Sequence, residues 1–444
     1  MTEQRTTLAK KYHDAVEHWT RHNFPDYPKL APLWDTYFPK DETFCLCARI
    51  QEGMPGAIEV GDRKGQPKAN VPAELDPEAA VHLLPIIRAQ ASTEFGSIQQ
   101  HQPTLARAAD PQDQAWVLRV MAEELRHGYQ MVHLLTTADW SGVTDASPDD
   151  MVEEILSMQT GSHVLAAFNV EFDSFTDNVV FAGLIDRVGK YQLTMQKVNA
   201  YKPMAASMPP MLKEEAFHLA AGVVPMRRWM EQAARHDPLI TVPIIQKTIN
   251  KWLARGLEMF GDERGGQTNV KYGLKDFANG EAQQRYYDEV GQVIDDLNLR
   301  WVRARFADKG REEADRIHAT LKAGGSVDGV TNAELLYEPD RRFFRRRGEF
   351  AFQMIGADGT VFTDVEAYLA HAVANLPEQY RASTDVKHWA TLQRGVAAGT
   401  IPLKEAMSSM PRLQRVGGTC PCANSVRWVV GGAGLGGGAE TLNP

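Results

Sequence analysis

The chain of 444 residues reads as all-α: a four-helix bundle core with additional helices and a small β-hairpin. Residues 81–235 carry long segments whose apolar positions recur three and four apart, the period of amphipathic helices. Asp110-Pro111 is a helix-start signal, an N-cap oxygen followed by a preset φ. A period of two replaces the helical one only near 349–363, where Phe350, Phe352 and Met354 alternate.

The elements follow in chain order. Residues 1–80 mix aromatics and prolines, among them Trp19, Phe24, Pro25, Trp34 and Phe38, and predict a short helix followed by an extended wrapping segment. Within the bundle region 81–235, helices are predicted at 81–101, closed by Pro103, then at 111–138, 149–168, 174–200 and 209–234. Residues 236–385 form a helical extension. In it Ala357-Asp358-Gly359 turns one strand into Thr360-Val361-Phe362 as a hairpin, and a helix follows at 364–375. Residues 386–444 read as a loop-rich, Gly-rich terminal segment.

Composition narrows the function. Hydrophobic residues make up 43%, enough for a sizeable core and too many for a disordered chain. The net charge of −9 argues against nucleic acid as a partner. No apolar run approaches the ~20 residues that span a membrane, and the start MTEQRTTLAKKYHD lacks the apolar core of a secretory signal. The expected compartment is the cytoplasm.

The chemistry lies in two matching segments, Glu123-Glu124-Leu125-Arg126-His127 and Glu214-Glu215-Ala216-Phe217-His218. Glu and His three apart stand on adjacent turns of one helical face and can bind one metal ion together. A single Glu-x-x-His arises often by chance, so the faces decide. Val117, Met121, Glu124, His127, Met131 and Leu134 share an apolar stripe, as do Met211, Glu215, His218 and Gly222. Glu94 lies on a stripe with Ile87, Ala91 and Ile98, and Asp186 on one with Val179, Ala182 and Leu193. Each single carboxylate precedes its Glu-x-x-His by a similar interval, thirty residues from Glu94 to Glu124 and twenty-nine from Asp186 to Glu215.

Isolated, each inward carboxylate would be costly to bury. Two divalent cations balance four carboxylates, and neutral imidazoles complete the coordination. Zinc rarely takes so many carboxylates, whereas iron or manganese does. Taken alone, any one of these residues reads as a solvated charge or a satisfied core group; the paired pattern favours metal.

Glu94, Glu124-Leu125-Arg126-His127, the stretch Asp186-Arg187-Val188-Gly189-Lys190-Tyr191-Gln192-Leu193 and Glu215-Ala216-Phe217-His218 resemble the ligand motifs of bacterial aryl-CoA epoxidases. The resemblance is to benzoyl-CoA epoxidase oxygenase subunits and, more distantly, to phenylacetyl-CoA epoxidase catalytic subunits. It covers residues 81 to about 225 well and the flanks poorly. It implies a ferritin-like bundle holding two iron ions through Glu94, Glu124, His127, Asp186, Glu215 and His218, with O₂ as co-substrate. It further implies that one oxygen atom enters an aromatic ring of an acyl-CoA thioester as an epoxide. The other atom leaves as water, and a separate reductase supplies two electrons. Glu123, Arg126 and Glu214, which flank the ligands, are candidates for orienting them from behind, with outward surface charge as the alternative. A second copy of the chain, as a homodimer, is a further expected partner.

Other features stand outside the resemblance. Cys45/Cys47 and Cys420/Cys422 form two Cys-x-Cys pairs, which read as unreactive thiols, a four-thiolate site for zinc or an iron–sulfur cluster, or a redox disulfide. Arg341, Arg342, Arg345, Arg346 and Arg347 are a dense basic run suited to CoA phosphates or an acidic reductase, with a solvated helix face as the default. Gly432-x-Gly434-x-x-Gly437 matches a dinucleotide fingerprint, yet only seven residues follow it here, and the expected reading is a flexible Gly-rich tail rather than a βαβ unit. His101, His133 and His163 lack a spacing partner and read as core or surface histidines. Two alternative functions remain open: a di-iron hydroxylase or N-oxygenase of another small substrate, and a ferritin-like iron-binding ferroxidase.

Overall fold

A computed structural model describes residues 2–237, 240–261 and 263–339, together with 354–355, 361–362, 367, 395 and 398–400. In chain order the helices are α1 (Lys10–Asn23), α2 (Leu30–Tyr37), α3 (Pro77–Leu105), α4 (Pro111–Thr136), α5 (Pro148–Ser157), α6 (Phe175–Gln196), α7 (Lys202–Ala234), α8 (Val242–Glu258), α9 (Glu263–Lys271), α10 (Asn279–Arg305) and α11 (Arg311–Lys322). Among the described residues four short strands accompany them: β1 (Glu3–Thr6), β2 (Ala48–Gln51), β3 (Met354–Ile355) and β4 (Val361–Phe362). The chain divides into two compact units, Met1–Met226 with Arg255–Val293, and Arg227–Ala254 with the described residues from Ile294 onward. No helix among the described residues is long and apolar enough to cross a membrane.

In the first unit α3, α4, α6 and α7 form the bundle. Asp76 and Asp110 cap α3 and α4, accepting from the amides of Glu78 at 3.0 Å and Gln112 at 2.8 Å. The Asp177 carboxylate accepts from the amides of Asp173 at 2.7 Å and Ser174 at 3.1 Å, closing the start of α6. Phe95, Ile98, Leu125, Tyr129, Val180 and Phe181 are fully buried between these helices. Gly183 of α6 and Gly222 of α7 bring their backbones together, since a Cβ on Gly222 would strike the Gly183 backbone.

The N-terminal eighty residues depart from a single helix and a wrapping strand. They contain two helices, and β1 pairs antiparallel with β2 in the register Glu3↔Gln51 to Thr6↔Ala48. That pairing joins residues more than forty apart, so no local period announces it. Three boundaries also move. The segment expected to be helical over 149–168, observed as α5, ends at Ser157; Met158 turns to extended backbone, and Gly161 takes a φ of +112° that suits glycine. Conversely, α7 begins at Lys202, seven residues before the Pro209-Pro210 pair expected to open it. Burial of Met204, Ala205 and Met208 on its first turns outweighs the interior prolines, which cost about 3 kcal/mol each. Pro103, expected to close α3, lies inside its last turn.

In the second unit two side-chain amides hold the segment after α11. Asn298 donates to the Leu336 carbonyl at 2.7 Å and accepts from the Leu336 amide at 2.8 Å. Gln246 does the same for Tyr337 at 3.0 and 2.9 Å. The expected hairpin is present, with Met354↔Phe362 and Ile355↔Val361. The arginine run 341–347, Cys420, Cys422 and the Gly-rich end lie outside the described residues, as does the helix expected at 364–375 apart from position 367.

Candidate metal centre

The four bundle helices each deliver one inward carboxylate: Glu94 from α3, Glu124 from α4, Asp186 from α6 and Glu215 from α7. His127 and His218 join them from α4 and α7, and all six side chains are buried. Donor atoms of five of them form two metal-sized groups, Glu94–Glu124–His127 and Glu124–Asp186–His218, which share Glu124; Glu215 stands beside the second. One Glu124 oxygen lies 3.9 Å from Nδ1 of His127 and the other 3.4 Å from Nδ1 of His218. Nδ1 of His218 is also 3.5 Å from Glu215 and 3.8 Å from Asp186. Gly189 on α6 makes room for Glu215, whose Oε1 would lie 3.0 Å from a Cβ there.

Behind the two imidazoles stand the flanking carboxylates. Oε2 of Glu214 is hydrogen-bonded to Nε2 of His127 at 3.0 Å, and Oε2 of Glu123 lies 3.2 Å from Nε2 of His218. Each imidazole therefore turns its other nitrogen, Nδ1, toward the shared carboxylates. Arg126 donates to Glu214 rather than to one of the inward carboxylates. The pattern of the sequence did not single out Arg49 or Arg119. Arg49 reaches Glu214 from β2, and Arg119 donates to Glu123 at 3.1 Å while its guanidinium stacks on Phe217 at 4.0 Å and Trp34 at 4.6 Å. Arg119 stands four residues before Glu123 on one helical face, a signal the spacing did contain. Arg49 had none, because long-range contacts place it: the β1–β2 pairing and its amide donating to Gln130 of α4 at 2.6 Å.

The donor set fits cations. Nδ1 of His127 and His218, Oδ2 of Asp186 and Oε2 of Glu215 are buried and have no hydrogen-bond partner among the described residues, a costly state that a metal ion would relieve. Electrostatics agree. Burial, reinforced by the neighbouring Glu94 charge, raises the Glu124 carboxyl well above the usual range, and burial raises Asp186 likewise. Burial opposes a proton on His127 and His218, but Glu214 and Glu94 around the first, and Glu123, Glu124 and Glu215 around the second, raise both well above an ordinary imidazole. Such a cluster exchanges protons for cations when it binds metal. Glu214 itself is held down at about 2: burial opposes this, but His127, Arg126 and Arg49 prevail.

Of the remaining residues, Cys45 is exposed and Cys47 buried, both as free thiols, and neither belongs to a metal-sized group among the described residues. Burial pushes the Cys47 thiol up to about 11, away from reactivity. His163 is buried against Gln99 at 2.8 Å and Ser92 at 3.2 Å. His101 is buried in α3, and burial lowers His133 in α4.

The phenylacetic acid catabolic protein family model matches residues 83–323. Benzoyl-CoA oxygenase component B of Aromatoleum evansii is 27% identical over 344 residues, which cover 71% of this chain and 72% of that protein. These matches agree with the expected aryl-CoA epoxidase kinship and with the all-α bundle described above. The family match spans more than half of the chain and contains all six inward residues, so this ferritin-like protein belongs to the phenylacetic acid catabolic protein family.

Proposed function

We propose that this protein is a di-iron oxygenase that inserts one atom of O₂ into the ring of an aromatic acyl-thioester, as an epoxide. The observation that carries the reading is the pair of buried Glu/His groups sharing Glu124, in a chain related to an oxygenase component. Glu94, Glu124, His127, Asp186, Glu215 and His218 would hold the two ions, with Glu124 reaching both groups. When bound, the metal pair supplies the electrons that reduce O₂.

The chain's own residues do the rest. Glu214 hydrogen-bonds Nε2 of His127, and the Glu123 carboxylate pairs electrostatically with Nε2 of His218 at 3.2 Å, which leaves Nδ1 of each ring available as the ligand atom. Arg49, Arg126 and Arg119 keep those two carboxylates in place. Burial of all six donors keeps bulk water from the site. The balance is one O₂, two electrons and two protons per ring, giving one epoxide and one water. The electrons come from a separate reductase, a partner class that a component-type relative supports.

Metal analysis and O₂ uptake test the reading. Purified protein should carry about two irons per chain, with most of the metal lost in Glu124→Ala and a lower melting temperature after chelation. The chemically reduced protein should consume O₂ when given an aryl-CoA thioester and not when given the free acid. A zinc-only preparation with full activity would sink the proposal, and iron oxidation without substrate-coupled O₂ uptake would place the chain with ferroxidases.

A further inference from the structure

His101 lies seven residues beyond Glu94 on α3, so the two share one helical stripe. Its ring is fully buried, and its two nitrogens are treated differently. Asn178 of α6 determines this. The Asn178 side-chain nitrogen donates to the His101 carbonyl oxygen at 3.0 Å, and its oxygen accepts from the Thr104 hydroxyl at 2.5 Å. A carbonyl oxygen can only accept, so the amide must present its NH₂ on this side. The same NH₂ lies 2.9 Å from Nδ1 of His101, which must therefore accept. A neutral imidazole then carries its single proton on Nε2.

Burial keeps the ring neutral, with its pKa lowered to about 3. Nε2 is buried and has no hydrogen-bond partner among the described residues. Phe172 and Phe181 stand near-perpendicular to the ring, with centroids 4.9 and 5.2 Å away. The result is an oriented N–H donor in apolar surroundings, two helical turns from a carboxylate of the candidate metal centre. An unpaired buried donor is costly, and its natural complement is an uncharged oxygen acceptor.

We propose that His101 is a positioning residue for the substrate, its Nε2–H donating to the thioester carbonyl oxygen of the aromatic acyl group. This inference rests on the aryl-thioester oxygenase reading and adds the contact that selects for the carbonyl. Seven residues of helix rise about 10.5 Å. A hydrogen bond of about 2.9 Å and the length of an aroyl group together span that order of distance. Asn178 and Thr104 then act through His101 by holding its tautomer.

The test is a binding cycle on metal-loaded protein with two probes, benzoyl-CoA and its thioether analogue S-benzyl-CoA, which lacks the carbonyl. Wild type should bind the thioester about 10- to 100-fold more tightly than the thioether. His101→Phe should lose that preference while keeping wild-type metal content, and His101→Gln, which retains an N–H donor, should recover part of it. Should the phenyl variant not fold, His101→Met is read in its place. An unchanged preference in the apolar variant overturns the inference, as it would if Nε2–H served a trapped water or the faces of the phenyl rings. A wild type that binds neither probe overturns the aryl-thioester reading itself, and this inference with it.

Discussion

Arg49 of β2 donates from Nη1 to Oε1 of Glu214 on α7, linking the N-terminal strand pair to the carboxylate behind His127. The pair is largely shielded from water, with side-chain exposures of 14% and 7%. Arg126 shares the same carboxylate, so Glu214 keeps its charge and its orientation through two guanidinium groups. The N-terminal segment thus takes part in the candidate metal centre without supplying any of the six inward donors.

Losing this support should weaken metal binding more than it weakens the fold. Glu214→Gln is expected to lower iron affinity about 10- to 100-fold, the usual cost of removing the partner behind a ligating histidine. Arg49→Met should show a smaller loss, and Arg49→Lys should restore part of it. Anaerobic Fe²⁺ titration measures all three; affinities equal to wild type would show that Glu214 does not orient a ligand.

The α6–α7 contact predicts a purely steric effect. A methyl group on Gly222 meets the backbone of Gly183 and Ala182, which cannot swing aside as a side chain does. Gly222→Ala should therefore cost at least the 1–3 kcal/mol typical of overpacking. Gly142→Ala is the control: nothing lies within 4 Å of its added Cβ, so its melting temperature should stay near wild type. Equal melting of the two variants would contradict the close backbone approach.

Acid stability should report His163. It is 5% exposed, and burial lowers it from 6.5 to about 4. The unfolded chain therefore binds more protons here than the folded one between those values. The stabilisation is complete above about pH 6.5 and is lost as pH falls toward 4. Its size is on the order of 3 kcal/mol, from 1.36 kcal/mol per unit of pKa. His101, held neutral by the same cause, adds to the slope. Denaturation at stepped pH should show a flatter decline for His163→Gln than for wild type; parallel curves would mean that His163 ionises freely in the fold.

Much of the bundle was legible in advance because helical signals are local. The inward stripes placed Glu94, Glu124, His127, Asp186, Glu215 and His218 on apolar faces, and all six are buried in the fold. The alternation around Met354 and the Ala357-Asp358-Gly359 turn announced the hairpin by short-range chemistry alone. The end of α5 was not readable in this way. Residues 151–168 carry enough helical residues to continue, but His163 is drawn onto Ser92 and Gln99, and Asn169 accepts from the amides of Gly161 and His163 at 2.8 Å each. Tertiary contacts there outweigh a modest local propensity.

The sequence by itself determined the all-α class, the order of the bundle helices and which carboxylates and imidazoles lie on their inner faces. Periodicity reports a residue's direction from its own helix, and nothing beyond that helix is needed to read it. Only the tertiary structure decided that Glu124 faces both histidines and that Arg49 stands behind His127 through Glu214. It alone decided, too, that Asn178 places the proton of His101 on Nε2. Each of these depends on the distance between atoms on different elements, which is set by how the helices pack and by a strand pairing that joins distant parts of the chain.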